Sequence, residues 1–262
     1  MLEARHPLNP LDKIDHRPWP LPHEPWLMKQ FWRDLLFAHW PVPPQRLRPL
    51  VPAALPLDTF DGQGWITIAP FLMEIRPRGL PTPPGFARIP ELNCRTYVTL
   101  EGKPGVYFFS LDITSAAAVW GARTFYHLPY FRSDMRVYKS AEAISYSSKR
   151  RRAKAVWTAT YEPISPVQLS SPGTIDYFLT ERYCLYTTHH ARALRADIHH
   201  LPWPLQQARA EIHENTIADA AGIALHGPPA ILSFAREIEV LVWPLRRVPT
   251  DSWLPIVHPS KP

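Results

Sequence analysis

Cysteine is scarce in this sequence, which contains only Cys94 and Cys184 among 262 residues. Two cysteines cannot build the set of bridges that stabilises small secreted domains, and both lie in apolar, strand-like segments. We therefore expect two buried, reduced thiols and a cytoplasmic protein. The first twenty residues, MLEARHPLNPLDKIDHRPWP, contain no apolar core of a secretory signal, which agrees with that expectation.

Long apolar runs and cofactor motifs are missing as well. No run approaches ~18 apolar residues, so no membrane-spanning helix is expected. There is no glycine-rich phosphate loop, no GxSxG segment and no CxxC pair, and we predict no cofactor. The pairs His189–His190 and His199–His200 lack the spacing of zinc ligands, and adjacent strand residues point in opposite directions, so no metal site is predicted.

The charge balance favours an anionic small molecule over a nucleic acid as the partner. The formal net charge is +6, and the most basic run is KRRRAK, Lys149 to Lys154. No aromatic stacking platform accompanies this run and no nucleic-acid motif is present. We interpret the run as a solvated outer face of a strand.

Proline is the abundant exception, with 32 residues in the chain. Proline is excluded from helix interiors and central strands, so many ordered loops are expected. The proline- and histidine-rich segment 1–25 shows little periodicity, and we predict an arm that packs on the domain. Residues 26–262 are predicted to form one domain, because a β-rich unit of this length is ordinary.

Hydrophobic patterning predicts a β-dominated α+β fold with three or four helices. The aromatic segment 26–40 has no clear period, and its second half fits either a helix or the first strand. Other strands are expected at 62–77, 91–100, 106–113, 135–163 (two or three strands) and 230–248 (a strand pair or one bent strand). Helices are expected at 45–50, 114–126 (with Thr114 or Ser115 as N-cap), after a Thr174 cap, and in the second half of 198–212.

Polar residues alternate along the strand ELNCRTYVTL. Glu91, Asn93 and Arg95 are two residues apart, so all three side chains project from one face. If that face lines an interior, Glu91 can act as a proton-transfer group and Arg95 can bind an anion. The alternative is a buried ion pair that stiffens the wall.

Three further polar groups have both structural and functional interpretations. Asp112 ends a strand just before a helix, and we favour a role as the cap of that helix. Glu181 and Tyr183 share a face in TERYCLY, where they either line a pocket or belong to an ion pair between strands.

Six motifs together resemble one known family. They extend from Leu36 to Leu205 and read LFAHWPVPPQRLRPLVP, PELNCRTYV, GVYFFSLD, LPYF, FLTERYCLY and HHLPWPL. The pattern resembles the YqjF-like family of uncharacterised bacterial proteins, within the acetoacetate decarboxylase-like superfamily. The resemblance implies a curved antiparallel sheet that closes into a cone-shaped barrel with peripheral helices and a pocket inside the cone. The decarboxylase relatives assemble, so a homo-oligomer is compatible with the resemblance.

The resemblance also implies positions for the site. Acetoacetate decarboxylase uses a lysine that forms a Schiff base with a ketone, together with a glutamate and an arginine. The arginine corresponds to Arg33 and the glutamate to Glu91. The lysine pair that follows a proline corresponds to Tyr130 and Phe131 after Pro129, and a second acidic residue falls near Trp65, so Schiff-base chemistry is not expected.

The resulting expectation is a small-molecule protein without a Schiff-base lysine. In the first hypothesis it is an enzyme acting on a keto or carboxylate compound, as a lyase, hydratase or isomerase. Glu91 transfers the proton, Arg33 and Arg95 hold the anion, and His127 or Tyr130 polarises the carbonyl. The alternatives are a non-catalytic protein that binds a small molecule in the same cavity, and an interaction module whose cavity is filled by side chains.

Overall fold

Strands dominate the computed structural model, which describes residues 10–249. The described part contains three α-helices, namely α1 Pro44–Leu47, α2 Ala116–Phe125 and α3 Ile175–Thr180. Its twelve strands are β1 Met28–Val42, β2 Gly64–Pro77, β3 Ile89–Leu100, β4 Lys103–Ile113, β5 Tyr130–Ser140, β6 Ala143–Arg150, β7 Val156–Pro163, β8 Cys184–His189, β9 Arg192–His199, β10 Leu205–Asn215, β11 Ile231–Val242 and β12 Arg246–Arg247.

The strands form one large, mainly antiparallel sheet in the order β12-β9-β8-β4-β3-β2-β1-β11-β10-β7-β6-β5. Two additional pairings, β9 with β11 and β4 with β5, connect strands that are distant in this order. The pairings therefore close two rings of strands. The first ring consists of β1 to β4, β8, β9 and β11, the second consists of β1 to β7, β10 and β11, and five strands belong to both.

The shared strands are buried on both faces, because each ring has its own hydrophobic core. Phe37, Phe71 and Tyr97 belong to the core of the first ring. Leu36 and Leu92, on the opposite faces of the same strands, pack in the core of the second ring with residues of β6 and β7. Burial on both faces removes the polar alternation of a half-exposed strand, which is why the second half of the segment 26–40 shows no clear period.

The predicted hairpin and the helix after it are both confirmed. β3 and β4 pair antiparallel around the turn at Glu101 and Gly102, and α2 follows β4 directly. Ser115 is the N-cap of α2, and its hydroxyl accepts a hydrogen bond from the backbone N–H of Ala118 at 3.2 Å. The predicted Thr174 cap of α3 is also confirmed.

One predicted helix is wrong. The segment after Pro204 forms β10, which pairs with β11 and, over most of its length, with β7. Its sequence, LQQARAEIHEN, is rich in good helix formers, but strand pairing outweighs this local preference.

Two predictions about charged residues are corrected by one buried ion pair. Asp112 does not cap α2. It lies in the interior of the second ring, where Nε and Nη2 of Arg150 donate to its two carboxylate oxygens, both at 2.7 Å. Arg150 is therefore buried, although the other residues of the run Lys149 to Lys154 are exposed as predicted.

The described part of the predicted arm, residues 10–25, contacts β9 and the residues after it. The guanidinium of Arg17 donates to the carbonyl of Ile198 at 2.6 Å, and the indole of Trp19 donates to Asp197 at 3.0 Å. The remainder of the predicted arm, residues 1–9, and residues 250–262 of the predicted domain lie outside the described residues.

Cys94 and Cys184, which both belong to the described part of the chain, are buried and free, as the sequence predicted. None of the helices between residues 10 and 249 has the length and apolar character needed to cross a membrane.

Gly105 lies where β4 approaches β8 closely. A Cβ atom at this position would stand 2.7 Å from the carbonyl oxygen and from the sulfur of Cys184, and 2.7 Å from the ring of Tyr186. We expect Gly105→Ala to lower the free energy of unfolding by about 1–3 kcal/mol, because the added methyl overpacks this contact. Urea denaturation measures the loss.

Gly121 in α2 provides the matched control. A Cβ atom there meets nothing within 4 Å, and alanine is favoured over glycine inside a helix. Gly121→Ala is expected to leave the stability unchanged or raise it by up to about 1 kcal/mol. Equal stability of the two variants would contradict the proposed close packing of β4 on β8.

Candidate active site

A cavity of about 420 Å³ lies inside the first ring of strands. Its wall is largely apolar and consists of alternate residues of the shared strands, such as Phe71, Met73 and Ile75 of β2. The cavity-facing side of α2 completes the wall at one end. This volume is within the range of natural small-molecule sites.

The predicted polar row of β3 faces this cavity. Glu91, Asn93 and Arg95 all line it, whereas Leu92 and Cys94 point into the core of the second ring. The pairing of β3 with β2 is regular from Ile89 to Arg95, so the alternation is kept. Four residues of strand place the Cα atoms of Glu91 and Arg95 about 13 Å apart.

Glu91 is a buried carboxyl with a perturbed acidity. Its side chain is 3% exposed, and the hydroxyl of Tyr130 donates to Oε2 at 2.8 Å. Burial raises the pKa of Glu91 to about 7, and hydrogen bonds from Tyr130 and Asn93 oppose part of the increase. A carboxyl with this pKa can either accept or donate a proton near neutral pH.

The pairing of β4 with β5 places Tyr130 next to Glu91. Tyr130 is the first residue of β5 and pairs with Leu111 of β4, and Arg123 of α2 donates to its backbone carbonyl at 2.7 Å. Burial and the neighbouring carboxylate raise the pKa of Tyr130 well above its usual value. The phenol therefore stays protonated and acts as a hydrogen-bond donor.

Arg95 is a buried cation that has no counterion within residues 10–249. It is 6% exposed, and no carboxylate among residues 10–249 forms an ion pair with it. Its guanidinium lies 5.0 Å from the ring centre of Phe37, and its Nε has no hydrogen-bond partner in the described part of the chain. Burial lowers the pKa of Arg95, yet an arginine remains protonated in proteins. An anion entering the cavity would compensate this charge.

Further polar groups on the cavity wall were not predicted from the sequence. Arg182 lines the cavity, but it is paired with Asp58 at 2.7 Å. The hydroxyl of Tyr126 and the indole nitrogen of Trp203 are buried and have no partner among residues 10–249. Burial raises the pKa of Tyr126 to about 12. Tyr126 is the C-cap of α2 and His127 follows it in a left-handed conformation, so no local pattern in the sequence shows which of the two faces the cavity.

Four residues proposed from the sequence do not line the cavity. Arg33 lies on the outer face of β1, because Gln30 and Trp32 take the inward positions, and it donates to Glu237 at 2.6 Å and to Glu74 at 3.1 Å. This placement separates Arg33 from Glu91 and Arg95. The other three are His127, Glu181 and Tyr183.

His127, Glu181 and Tyr183 form contacts behind or beside the cavity wall. The ring of His127 stacks on that of His189, with 4.0 Å between the centroids. The hydroxyl of Tyr183 donates to Glu181, whose other oxygen accepts the backbone N–H of Trp203 at 2.9 Å. Glu181 and Tyr183 therefore position Trp203, which is itself part of the wall.

The position of the decarboxylase lysines holds no amine here. Tyr130 faces the cavity. Phe131 packs on Arg150, whose guanidinium lies 4.1 Å from the centre of the Phe131 ring. None of the described lysines lines the cavity. Residues 10–249 also contain no group of three or more side chains placed to ligate a metal ion.

Structural comparison shows which fold this arrangement belongs to. The enduracididine biosynthesis enzyme MppR complexed with pyruvate superposes with a TM-score of 0.60 at 11% identity, covering 88% of this chain and 93% of that one. An acetoacetate decarboxylase superposes with a TM-score of 0.59 at 11% identity, covering 86% of this chain and 90% of the decarboxylase. The acetoacetate decarboxylase of Legionella pneumophila superposes with a TM-score of 0.56 at 14% identity, covering 95% of this chain and 98% of the decarboxylase. The protein therefore has the β-dominated α+β fold of the acetoacetate decarboxylase-like proteins.

Sequence comparison then identifies the family. The model of the DUF2071 family, described as an uncharacterized conserved protein, matches residues 29–239. The uncharacterized protein YqjF of Bacillus subtilis is 53% identical over 224 residues, which are 85% of this chain and 93% of the relative. The chain belongs to the DUF2071 family, and the resemblance inferred from the six motifs is confirmed.

Proposed function

We propose that this protein is a small-molecule enzyme that transfers a proton on a keto or carboxylate compound without a Schiff-base lysine. The observation that carries the proposal is Glu91, a buried carboxyl with a pKa of about 7 that faces the same cavity as Arg95, a cation without a counterion among the described residues. The two rings of strands correspond, in this proposal, to the cone-shaped barrel of the superfamily, with the ligand inside the cone. A cytoplasmic location and an anionic ligand are parts of the same proposal.

The roles follow from the chemistry of each group. Arg95 binds the carboxylate of the substrate. Glu91, when ionised, removes a proton from a carbon next to a carbonyl. The C–H electron pair forms the C=C bond of an enolate, and the π electrons of the carbonyl move onto its oxygen. The hydroxyl of Tyr126, which lacks a partner among the described residues, can donate to that oxygen. Return of the proton from Glu91 completes an isomerisation or exchange.

The fold relatives support the class of compound. MppR was obtained in complex with pyruvate, a keto acid, and acetoacetate decarboxylase is named for another. Since these proteins are at most 14% identical to this chain, they support the fold and the substrate class but assign no residue. Because Tyr130 stands in place of the lysine, no amine is present there to form a Schiff base, and we propose acid–base chemistry instead.

Proton exchange tests this proposal whatever product the reaction yields. Purified protein is incubated with a panel of 2-oxo and 3-oxo acids in D₂O, and proton NMR follows loss of the signal next to the carbonyl. We expect exchange of at least one panel member, and we expect Glu91→Gln to reduce its rate by about a hundredfold. Glutamine keeps the shape of the side chain but cannot take up the proton.

Glu237→Gln is the control, because Glu237 is half-exposed and lies outside the cavity. It is expected to exchange at the wild-type rate. If Glu91→Gln and wild type exchange protons equally fast, Glu91 is not the proton-transfer group.

A non-catalytic binding protein is the second candidate. It is favoured by four cavity-lining residues, Asn93, Arg95, Tyr126 and Trp203, each of which has a buried polar atom without a partner in the described part of the chain. A bound ligand with complementary polar groups would satisfy these atoms without any chemical step. Native mass spectrometry that detects a retained acid, together with no proton exchange on any panel member, would favour this candidate.

A further inference from the structure

Helix α2 presents mainly small side chains to the cavity. The residues that line it are Ala117, Ala118, Gly121, Ala122 and Phe125, which share one side of the helix. No residue of α2 is fully buried, although Ala118 and Ala122 pack against the edge of the core of the first ring. Four of the five residues are alanine or glycine, so the cavity extends to the helix backbone.

Gly121 shows that this space is open rather than filled by neighbours. An added Cβ atom would meet nothing within 4 Å. Glycine in a helix interior is unfavourable relative to alanine, and close packing of the protein does not require it at this position. The space beside Gly121 is therefore available to a bound molecule.

The position of α2 along the cavity relates it to the polar row of β3. Glu91 pairs with Ile113, the last residue of β4, and α2 begins three residues later. Arg95 pairs with Phe108, farther from the helix. The order along the cavity is thus Arg95, then Glu91, then α2.

The wall near α2 is largely apolar, with Gln30 and Tyr126 as its polar members. Met28, Met73, Ile75 and Ile113 line this end of the cavity, and the guanidinium of Arg95, which has no counterion among the described residues, stands at the other. One end therefore suits a carboxylate and the other suits hydrocarbon.

We propose that the substrate is a carboxylic acid with an apolar tail, whose carboxylate is bound by Arg95 and whose tail lies against the small residues of α2. Ala118 and Gly121 then determine the tail length that the site accepts. This inference rests on the proposed function only in taking the same cavity as the substrate site.

Binding measurements test it independently of catalysis. Isothermal titration calorimetry is performed with butanoate, hexanoate, octanoate, decanoate and dodecanoate. We expect affinity to rise by about fourfold for each methylene buried, until the tail reaches α2. Octanol is expected to bind at least tenfold more weakly than octanoate, because it offers no charge to Arg95.

Variants of α2 identify where the tail lies. Ala118→Leu and Gly121→Leu are expected to shift the preferred acid to a shorter chain and to weaken decanoate at least tenfold, while butanoate changes less than about twofold. Leucine is a good helix former, so the helix should persist. Ala116→Leu is the matched control on the same helix, since Ala116 is exposed and does not line the cavity.

The outcomes separate this inference from the proposed function. Wild-type affinity that is the same for butanoate and decanoate, or α2 variants with the wild-type chain-length profile, would overturn the inference even if proton exchange is observed. A shifted profile in Ala118→Leu upholds it even if no exchange is found, in which case only the enzymatic function fails.

Discussion

Replacing Asp112 with alanine is expected to lower the free energy of unfolding by about 3–5 kcal/mol. Asp112 is fully buried, and both of its oxygens accept hydrogen bonds from Arg150, while Ser133 donates to Oδ1 at 2.6 Å. The alanine variant leaves the guanidinium of Arg150 inside the protein without a counterion. The three residues belong to β4, β5 and β6, so the loss falls where β5 closes the second ring on β4. Urea denaturation measures it.

An exposed ion pair nearby serves as the control. Asp134 pairs with Arg151, and their side chains are 63% and 48% exposed. Asp134→Ala is expected to change the stability by less than about 1 kcal/mol, because water replaces the partner. The double variant of Asp112→Ala with Arg150→Met should recover part of the loss, since it removes the uncompensated charge. Similar effects of Asp112→Ala and Asp134→Ala would refute the structural importance of the buried pair.

Replacing Glu91 with glutamine is expected to remove a pH dependence of stability. In the folded protein the pKa of Glu91 is about 7, above the ordinary value of 4.5. The folded state therefore holds this proton more tightly than the unfolded state. The resulting stabilisation is complete below about pH 4.5 and is lost as the pH rises toward 7. Between about pH 5 and about pH 8 the wild type should lose about 2–3 kcal/mol that the glutamine variant does not lose.

The measurement is urea denaturation of both proteins at the two pH values, and the quantity of interest is the difference between them. Other titrating groups, such as His199, contribute equally to both proteins and cancel. Glu211→Gln, at a side chain that is 81% exposed, is expected to stay within about 0.5 kcal/mol of wild type at either pH. If wild type and Glu91→Gln lose stability in parallel, the buried carboxyl does not have a raised pKa.

The same titration affects the proposed chemistry. Removal of a proton requires ionised Glu91, so exchange should increase with pH up to about 7 and then level off. The ionised form that is competent as a base is also the form that destabilises the fold. If Glu91→Gln is more stable than wild type at alkaline pH and also exchanges substrate protons more slowly, both effects arise from the same carboxyl.

The polar row of the site could be predicted because it depends only on strand geometry. Once ELNCRTYVTL is taken as a strand, the side chains of Glu91, Asn93 and Arg95 must share a face. The substitution of Tyr130 for a lysine is likewise visible in the sequence, and the six motifs alone indicate the family. The Ser115 cap of α2 follows from the preference of serine for that position.

The sequence was a poor guide to the placement of a side chain where that placement depends on residues distant in the chain. The sequence resemblance places Arg33 in the pocket, yet the inward positions of β1 belong to Gln30 and Trp32. The basic run predicts a solvated Arg150, but its position at the end of β6 places it against Asp112. Neither contact leaves a signal in the neighbouring sequence, since each depends on which strands pair and in what register.

By itself, the sequence determined the properties that arise within a few residues: the hairpin of β3 and β4, the shared face of Glu91, Asn93 and Arg95, the α2 cap and the missing Schiff-base lysine. Only the tertiary structure decided that β10 is a strand, that Arg95 has no counterion among the described residues, and that α2 borders an open cavity. The reason is physical. Alternation and capping are local properties of the backbone, whereas burial, charge compensation and empty volume are set by pairings such as β4 with β5 and β9 with β11, which join segments far apart in the chain.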